Sequence, residues 1–306
     1  MATPMISTDF RVIVEPILSE EFDGVYDQRA DEWSEVFNEI QGTPRQYHEE
    51  PMLYGMGAAP VMPEGTPVTY QSGGVLFVQR YDYLPYGLAF ALSKILVEDG
   101  DHIRIGTIYA RHLAQSLIET KELLCANVLN RAFNSSYTGG DGVSLINTAH
   151  PIVNGTFSNQ LTTAANLSQT SVEQLLIQIR SAVDNNGKKI RLNPTKFVVS
   201  PSNTFQAEVI LKSVLRAGTN NNDVNPVQSM GLLKEGQACL SRLTSNTAWW
   251  IEAETPGMKG LQWVNRRSLE KSMEGDFETD SMRYKATFRG KEGWTDPRNL
   301  WGTSGV

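Results

Sequence analysis

The sequence predicts an α+β fold, and three observations carry that prediction. One helical pattern runs from Asp101 to Phe133 with no proline inside it. Two β-type runs, Pro67-Val68-Thr69-Tyr70 and Val75-Leu76-Phe77-Val78, flank Gln71-Ser72-Gly73-Gly74 and read as a hairpin. After the long helix, helical and β-type segments follow one another and the chain closes on alternating strands. At ~1.5 Å per residue the long segment reaches ~45–50 Å, about the diameter of a domain. The remainder must therefore be laid along it as along a spine.

Taken in order, residues 1 to about 18 read as an arm, with Val12-Ile13-Val14 its only apolar stretch. From Ser19 to Ile40 the pattern turns helical, with Phe22, Tyr26, Trp33, Phe37 and Ile40 as candidate buried positions. Residues 42 to 84 are punctuated by Pro44, Pro51, Pro60, Pro63 and Pro67, and hold the hairpin. A lone two-stranded ribbon is marginal in water, so this one is expected to lean on another chain. Leu88 to Ile95 leads into the spine as a strand or connector. Along the spine, Ile105, Tyr109, Leu113, Leu117, Leu124, Val128 and Ala132 form one apolar stripe, and Glu119, Lys121 and Glu122 fall on other faces.

Tyr137 to Asn166 is rich in loop residues. Thr170 to Ala182 reads as a helix, with Thr170 and Glu173 as a capping box and Asn185-Asn186-Gly187 as its end. Lys196 to Val199 is a buried strand, and Ser200-Pro201 opens a helix to about Leu215. Gly218 to Asp223 is a polar loop. Short strands follow, Ala248-Trp249-Trp250-Ile251 among them, and Leu261 to Val264 and Met282 to Arg289 close the pattern.

Composition narrows the function classes. The 306 residues are 40% hydrophobic and 20% charged, as in ordinary folded proteins, with a net charge of -7. That acidic balance argues against a dedicated nucleic-acid-binding surface, which needs a basic excess. Cys125 and Cys239 lie far apart, and Cys125 sits among spine apolars, so a buried free thiol is expected. The opening residues lack the basic and apolar segments of a secretory signal, and no apolar run approaches the ~20 residues that cross a bilayer. A protein that is soluble and stays inside the cell that makes it is the expectation.

The order of these parts resembles the tailed-phage major capsid proteins, the Hong Kong-phage fold. Two local stretches carry the resemblance further. Gly139-Gly140-Asp141-Gly142-Val143-Ser144-Leu145-Ile146-Asn147-Thr148-Ala149-His150-Pro151 is similar to the loop after the spine helix in such proteins. Met282-Arg283-Tyr284-Lys285-Ala286-Thr287-Phe288-Arg289-Gly290 is similar to their final strand, followed by Trp294, Asp296 and Pro297.

The resemblance covers the whole chain in order and implies a division into parts. Residues 1–45 would be the N-terminal arm and helix, and 46–87 the extended loop. Residues 88–160 and 255–306 would form the peripheral domain, and 161–254 the axial domain. It also implies a subunit that assembles with itself into hexamers and pentamers of an icosahedral head. Scaffolding, portal and decoration proteins would be further partners, and packaged double-stranded DNA would be met without sequence specificity. The place would be the virion, assembled in the host cytoplasm, with no membrane. Encapsulin-like nanocompartments share this fold class and are one alternative; a soluble hydrolase with Asp141, Ser144 and His150 as its site is the other.

Glu64, just before the ribbon, and Arg80, on its return strand, are candidate partners for charges on a neighbouring copy. Arg266-Arg267, interrupted by acids nearby, reads as a solvated face or an intersubunit ion-pair seam rather than a phosphate track. Trp294 is a further candidate contact, whereas Trp249, Trp250 and Trp263 alternate with aliphatic residues as core or contact positions.

Other chemistry is weighed and set aside. Gly55-Met56-Gly57 has Pro60 where a dinucleotide turn needs its third glycine, and no helix follows. Asp141, Ser144 and His150 could be drawn as a hydrolytic triad, but no Gly-x-Ser-x-Gly elbow is present. A structural loop is the preferred reading. Asp99, Asp101 and His102 before the spine suit the helix dipole without forming a metal site. No catalytic residue, cofactor or metal is expected.

Overall fold

A computed structural model of the chain describes residues 7–28, 31–93, 96, 102–216, 223–276 and 281–306. It is an α+β fold, as the sequence predicts. The spine is helix α2, His102–Asn130, preceded by helix α1, Ser7–Tyr26. The N-terminal region is therefore not an irregular arm followed by a helix from Ser19. Val14, Leu18 and Phe22 recur at intervals of four and bury themselves against the spine. That packing outweighs the disruption expected of Pro16 inside α1. The helical pattern read on to Ile40 stops early. Trp33–Glu35 is one 3-10 turn, and Ile40 lies in strand β1, Asn38–Gln41.

The spine's buried stripe is rotated from the expected one. Gly106, Ala110, Leu113, Ala114, Leu117, Ile118, Cys125, Ala126 and Leu129 are buried, whereas Tyr109 is exposed and Leu124 and Val128 are half-buried. Small residues explain the shift, because they let α1 approach closely. A Cβ on Gly106 would stand 3.1 Å from Leu18 Cδ2 and 3.3 Å from Leu92 Cδ1. Glu122, read as solvent-facing, is also buried. Its carboxylate accepts the backbone N–H groups of Glu32 at 2.8 Å and Trp33 at 3.1 Å, opening the 3-10 turn.

The first sheet lies beside this helix pair in the order β1-β10-β11-β4. Strand β4 is Leu84–Ser93, β10 is Leu261–Asp276 and β11 is Ser281–Trp294. The two closing strands are longer than their apolar runs suggested, pairing antiparallel from Leu261↔Trp294 to Asp276↔Ser281 with two register shifts. A second sheet has the order β12-β9-β7-β8, from Leu300–Thr303, Trp249–Glu254, Asn193–Val199 and Gln237–Cys239, and β5, His150–Ile152, pairs with β6, Gly155–Phe157.

Side chains alternate across this second sheet as the pleat requires. Val198 and Trp250 face the spine's core, where Phe133 stacks on Trp250 at 6.2 Å. Phe197, Val199, Trp249 and Ile251 face a second core. Helices α3, Gln169–Arg180, and α4, Thr204–Lys212, cover that side.

Helix α3 begins one residue earlier than read. Its capping box is Ser168 with Ser171, not Thr170 with Glu173, and it ends at Arg180 with Ser181 as its C-cap, before the Asn185-Asn186 turn. After Ser200 comes a 3-10 turn, Pro201–Asn203, and α4 stops at Lys212 rather than Leu215. A four-residue helix α5, Pro226–Ser229, follows. Of the predicted loop at 218–223, only Asp223 lies within the described residues.

Candidate functional site

Of the two runs the sequence suggested for the ribbon, Val75–Val78 lies in it and Pro67–Tyr70 does not. Strand β2, Tyr47–Tyr54, pairs with β3, Gly74–Asp82, while Pro67–Tyr70 lies outside any strand. Five prolines between 44 and 67 break the local pattern, but Pro51 sits inside β2. The ladder shifts register between Met52 and Leu53. Beyond it, residues 55–73 form one loop whose every residue is exposed. Val61 is 92% and Tyr70 95% accessible, and Met56, Met62 and Val68 are also exposed. The loop's neck is closed by Gly57 N–H donating to Gln71 Oε1 at 2.9 Å. Its apolar side chains have no cover within the described chain, the condition that marks contact surfaces.

The root of the ribbon, in contrast, is held by contacts within its own chain. Glu50, 3% exposed, accepts from Thr295 Oγ1 at 2.6 Å and from Lys259 Nζ at 3.0 Å. Tyr81 OH lies 2.7 Å from Thr295 Oγ1 and extends the chain of bonds. Burial alone pushes the Glu50 carboxyl up, but the Thr295 and Lys259 bonds outweigh it and hold it below its ordinary range. Gly140 touches the other strand: a Cβ there would meet Val78 O at 2.8 Å.

The five candidate contact residues are dispersed. Glu64 is exposed in the outer loop. Arg80 is exposed on β3, paired with Asp82 at 2.9 Å and lying 4.0 Å over the Tyr47 ring. Arg266 donates to Pro44 O at 3.2 Å, and Arg267 to Thr287 Oγ1 at 2.9 Å, both near the β10 irregularity. Trp294 is half-buried against the first core, its Nε1 beside Gly139. Apart from the neighbours Arg266 and Arg267, the structure thus brings no pair of them together. Sequence reading missed the outer apolar residues, although Val61, Met62 and Tyr70 between prolines and glycines were a signal of uncovered apolar surface.

The loop after the spine is largely exposed but is pinned by a buried group of polar side chains. His150 is fully buried, with Nδ1 2.6 Å from Asp141 Oδ2 and Nε2 3.0 Å from Asn159 Oδ1. Asn159 Nδ2 in turn donates to the carbonyls of Leu145, Pro297 and Leu300. Ser144 Oγ donates to Ile146 O at 3.1 Å instead of approaching His150. Asp141 and His150 do meet, but Asn159 occupies the position a nucleophile would need, so the hydrolase constellation is not assembled.

Glu252 is 2% exposed on β9, with Lys196 Nζ 3.7 Å away. Burial pushes its carboxyl up to about 7 against the pull of Lys196. Cys125 is a buried free thiol, as expected, and burial pushes it well up. Among the described residues no group of three or more His, Cys, Asp or Glu could hold a metal, and no helix is long and apolar enough to cross a membrane. Asp99 and Asp101 lie outside the described residues.

Comparison with known proteins sets this geometry in a family. A family model described as phage capsid protein matches residues 84–301. No curated protein matches the chain in sequence. Among solved structures, the capsid of the cyanophage P-SCSP1u is similar at a TM-score of 0.55 and 10% identity, covering 89% of this chain and 86% of that one. The capsid of a native GTA particle gives 0.55 at 12% identity, covering 90% of each chain. A virus-like particle from Pyrococcus furiosus gives 0.53 at 11% identity, covering 94% of this chain and 98% of that one.

Proposed function

Since the chain belongs to the phage capsid protein family, we infer that it is the major subunit of a tailed-phage head, closing hexamers and pentamers around double-stranded DNA. That it is a structural protein of a capsid follows from the family. The finer assembly is carried by one observation, the outer loop 55–73 with Val61 and Tyr70 almost fully accessible. Such a loop gains cover only on another copy, and head-to-tail contacts of this kind close into rings.

In this reading the subunit divides into an N-terminal arm and helix at 1–45 and an extended loop at 46–87. The peripheral domain is 88–160 with 255–306, and the axial domain is 161–254. Glu64 and Arg80 meet charges on neighbours, with Arg266, Arg267 and Trp294 as further contacts. The two cores and the spine give a rigid plate, and the loop supplies the clasp. The subunit performs no catalysis and is assembled in the host cytoplasm, where scaffolding, portal and decoration proteins are its further partners.

Particle size tests the reading. Light scattering with negative-stain microscopy of the purified protein should show closed shells or rings of five or six. A stable 34.0 kDa monomer with the loop protected from protease would sink it. The likeness to a virus-like particle favours one second reading, a nanocompartment shell. Particles from the native source with the ultraviolet spectrum of nucleic acid select the head, and particles filled with protein select the nanocompartment.

A further inference from the structure

The ribbon touches its own second lobe at one further place, the turn from Asp184 to Lys188. Three side chains of this turn donate to three backbone carbonyls just past the register shift of β2. Asn185 Nδ2 reaches Leu53 O at 2.9 Å, Asn186 Nδ2 reaches Gly55 O at 2.5 Å, and Lys188 Nζ reaches Met56 O at 2.6 Å. These carbonyls lie where the strand becomes the outer loop.

The turn has internal bonds of its own that do not involve the ribbon. Asp184 Oδ1 accepts the N–H groups of Asn186 and Lys188, both at 2.8 Å, and Gly187 takes the left-handed backbone, φ +79, that the turn needs. Asn185 is oriented by a buried cation. Arg298, 3% exposed, donates through Nη2 to Asn185 Oδ1 at 2.7 Å and through Nε to Val183 O at 2.8 Å. With its oxygen held by the guanidinium, the Asn185 amide presents its NH2 to Leu53 O and has no reason to flip.

We propose that the Asp184–Lys188 turn is a clip that sets the direction in which the outer loop leaves the subunit, with Asn185 as its positioning residue. The proposal rests on the reading of the outer loop as a clasp between copies. It adds that the clasp is aimed from within the subunit: the lobe that carries the turn holds the loop's neck by three hydrogen bonds. Hydrogen bonds to backbone carbonyls are strong enough to bias a direction and weak enough to release it when the lobe shifts.

The test is hydrogen–deuterium exchange on wild type, Asn185→Asp, and Asn186→Ala with Lys188→Ala. Asn185→Asp keeps the acceptor for Arg298 and removes the donor to Leu53 O, so a merely structural role would leave the ribbon unchanged. Exchange in residues 53–57 is expected to rise about tenfold in both variants, with strands 193–199 and 249–254 unaffected. Shells from both should be fewer and more varied in diameter. Unchanged exchange at 53–57 in both variants overturns the clip. If wild type forms no particles yet the exchange responds as stated, the clip stands and the assembly reading falls.

Discussion

At the residue scale, buried polar groups hold the molecule together and give its sharpest tests. Asn159 satisfies three carbonyls from two distant segments and also receives His150. Asn159→Ala should cost at least ~3 kcal/mol in denaturant unfolding, since it strands several buried acceptors at once. Glu252 has the opposite character. Its folded value of about 7 lies above the ordinary carboxyl value of 4.5, so the ionised form is the one the fold disfavours. Its contribution is most favourable below the ordinary value and is lost as pH rises to about 7. Glu252→Gln should therefore match wild type near pH 4.5 and melt higher at pH 8, by up to ~3 kcal/mol. A constant gap across that range would refute the assignment. None of these roles was legible beforehand: Glu122 and Glu252 look like surface acids, and only the backbone donors or the covering strands reveal otherwise.

At the element scale, the pairing of α1 with the spine depends on small side chains. Gly106 weakens the helix intrinsically, yet its missing Cβ is what admits Leu18 and Leu92. Gly106→Leu should force α1 outward at a cost of ~1–3 kcal/mol, read as faster protease cleavage within Ser7–Tyr26. The sequence does contain the period-four signal Val14, Leu18, Phe22, but Pro16 interrupts it, and a rule of local propensity sends the segment to an arm. One strand of the ribbon, but not Val75–Val78, is misplaced for a related reason. Pro67–Tyr70 has strand propensity, whereas pairing is decided by what lies opposite, and β3 finds β2 because Glu50, Tyr81 and Thr295 lock them at the root.

At the scale of the whole molecule, two cores share one sheet, and the loop 55–73 is exposed along its whole length among the described residues. Replacing residues 57–71 by a short Gly-Ser linker should leave the thermal transition within ~1 kcal/mol, because that stretch is wholly exposed. The same variant should yield no closed shells by microscopy. Wild-type yield from it would remove the loop from the assembly reading. Charge reversal at Glu64 and Arg80 together should lower capsomer yield, and unchanged yield excludes them as intersubunit partners.

What the sequence determined by itself was whatever is encoded locally and redundantly. The spine declares itself over some eight turns without proline, the alternating tryptophans mark a sheet with two covered faces, and the order of parts gives the family. Tertiary structure alone decided which face of the spine is buried, which strands make the ribbon, and that Asn185 is aimed by Arg298 across 113 positions of sequence. The physical reason is the range of the forces. Propensity and periodicity act within a few residues, whereas close approach, desolvation and hydrogen-bond satisfaction depend on what the fold brings alongside.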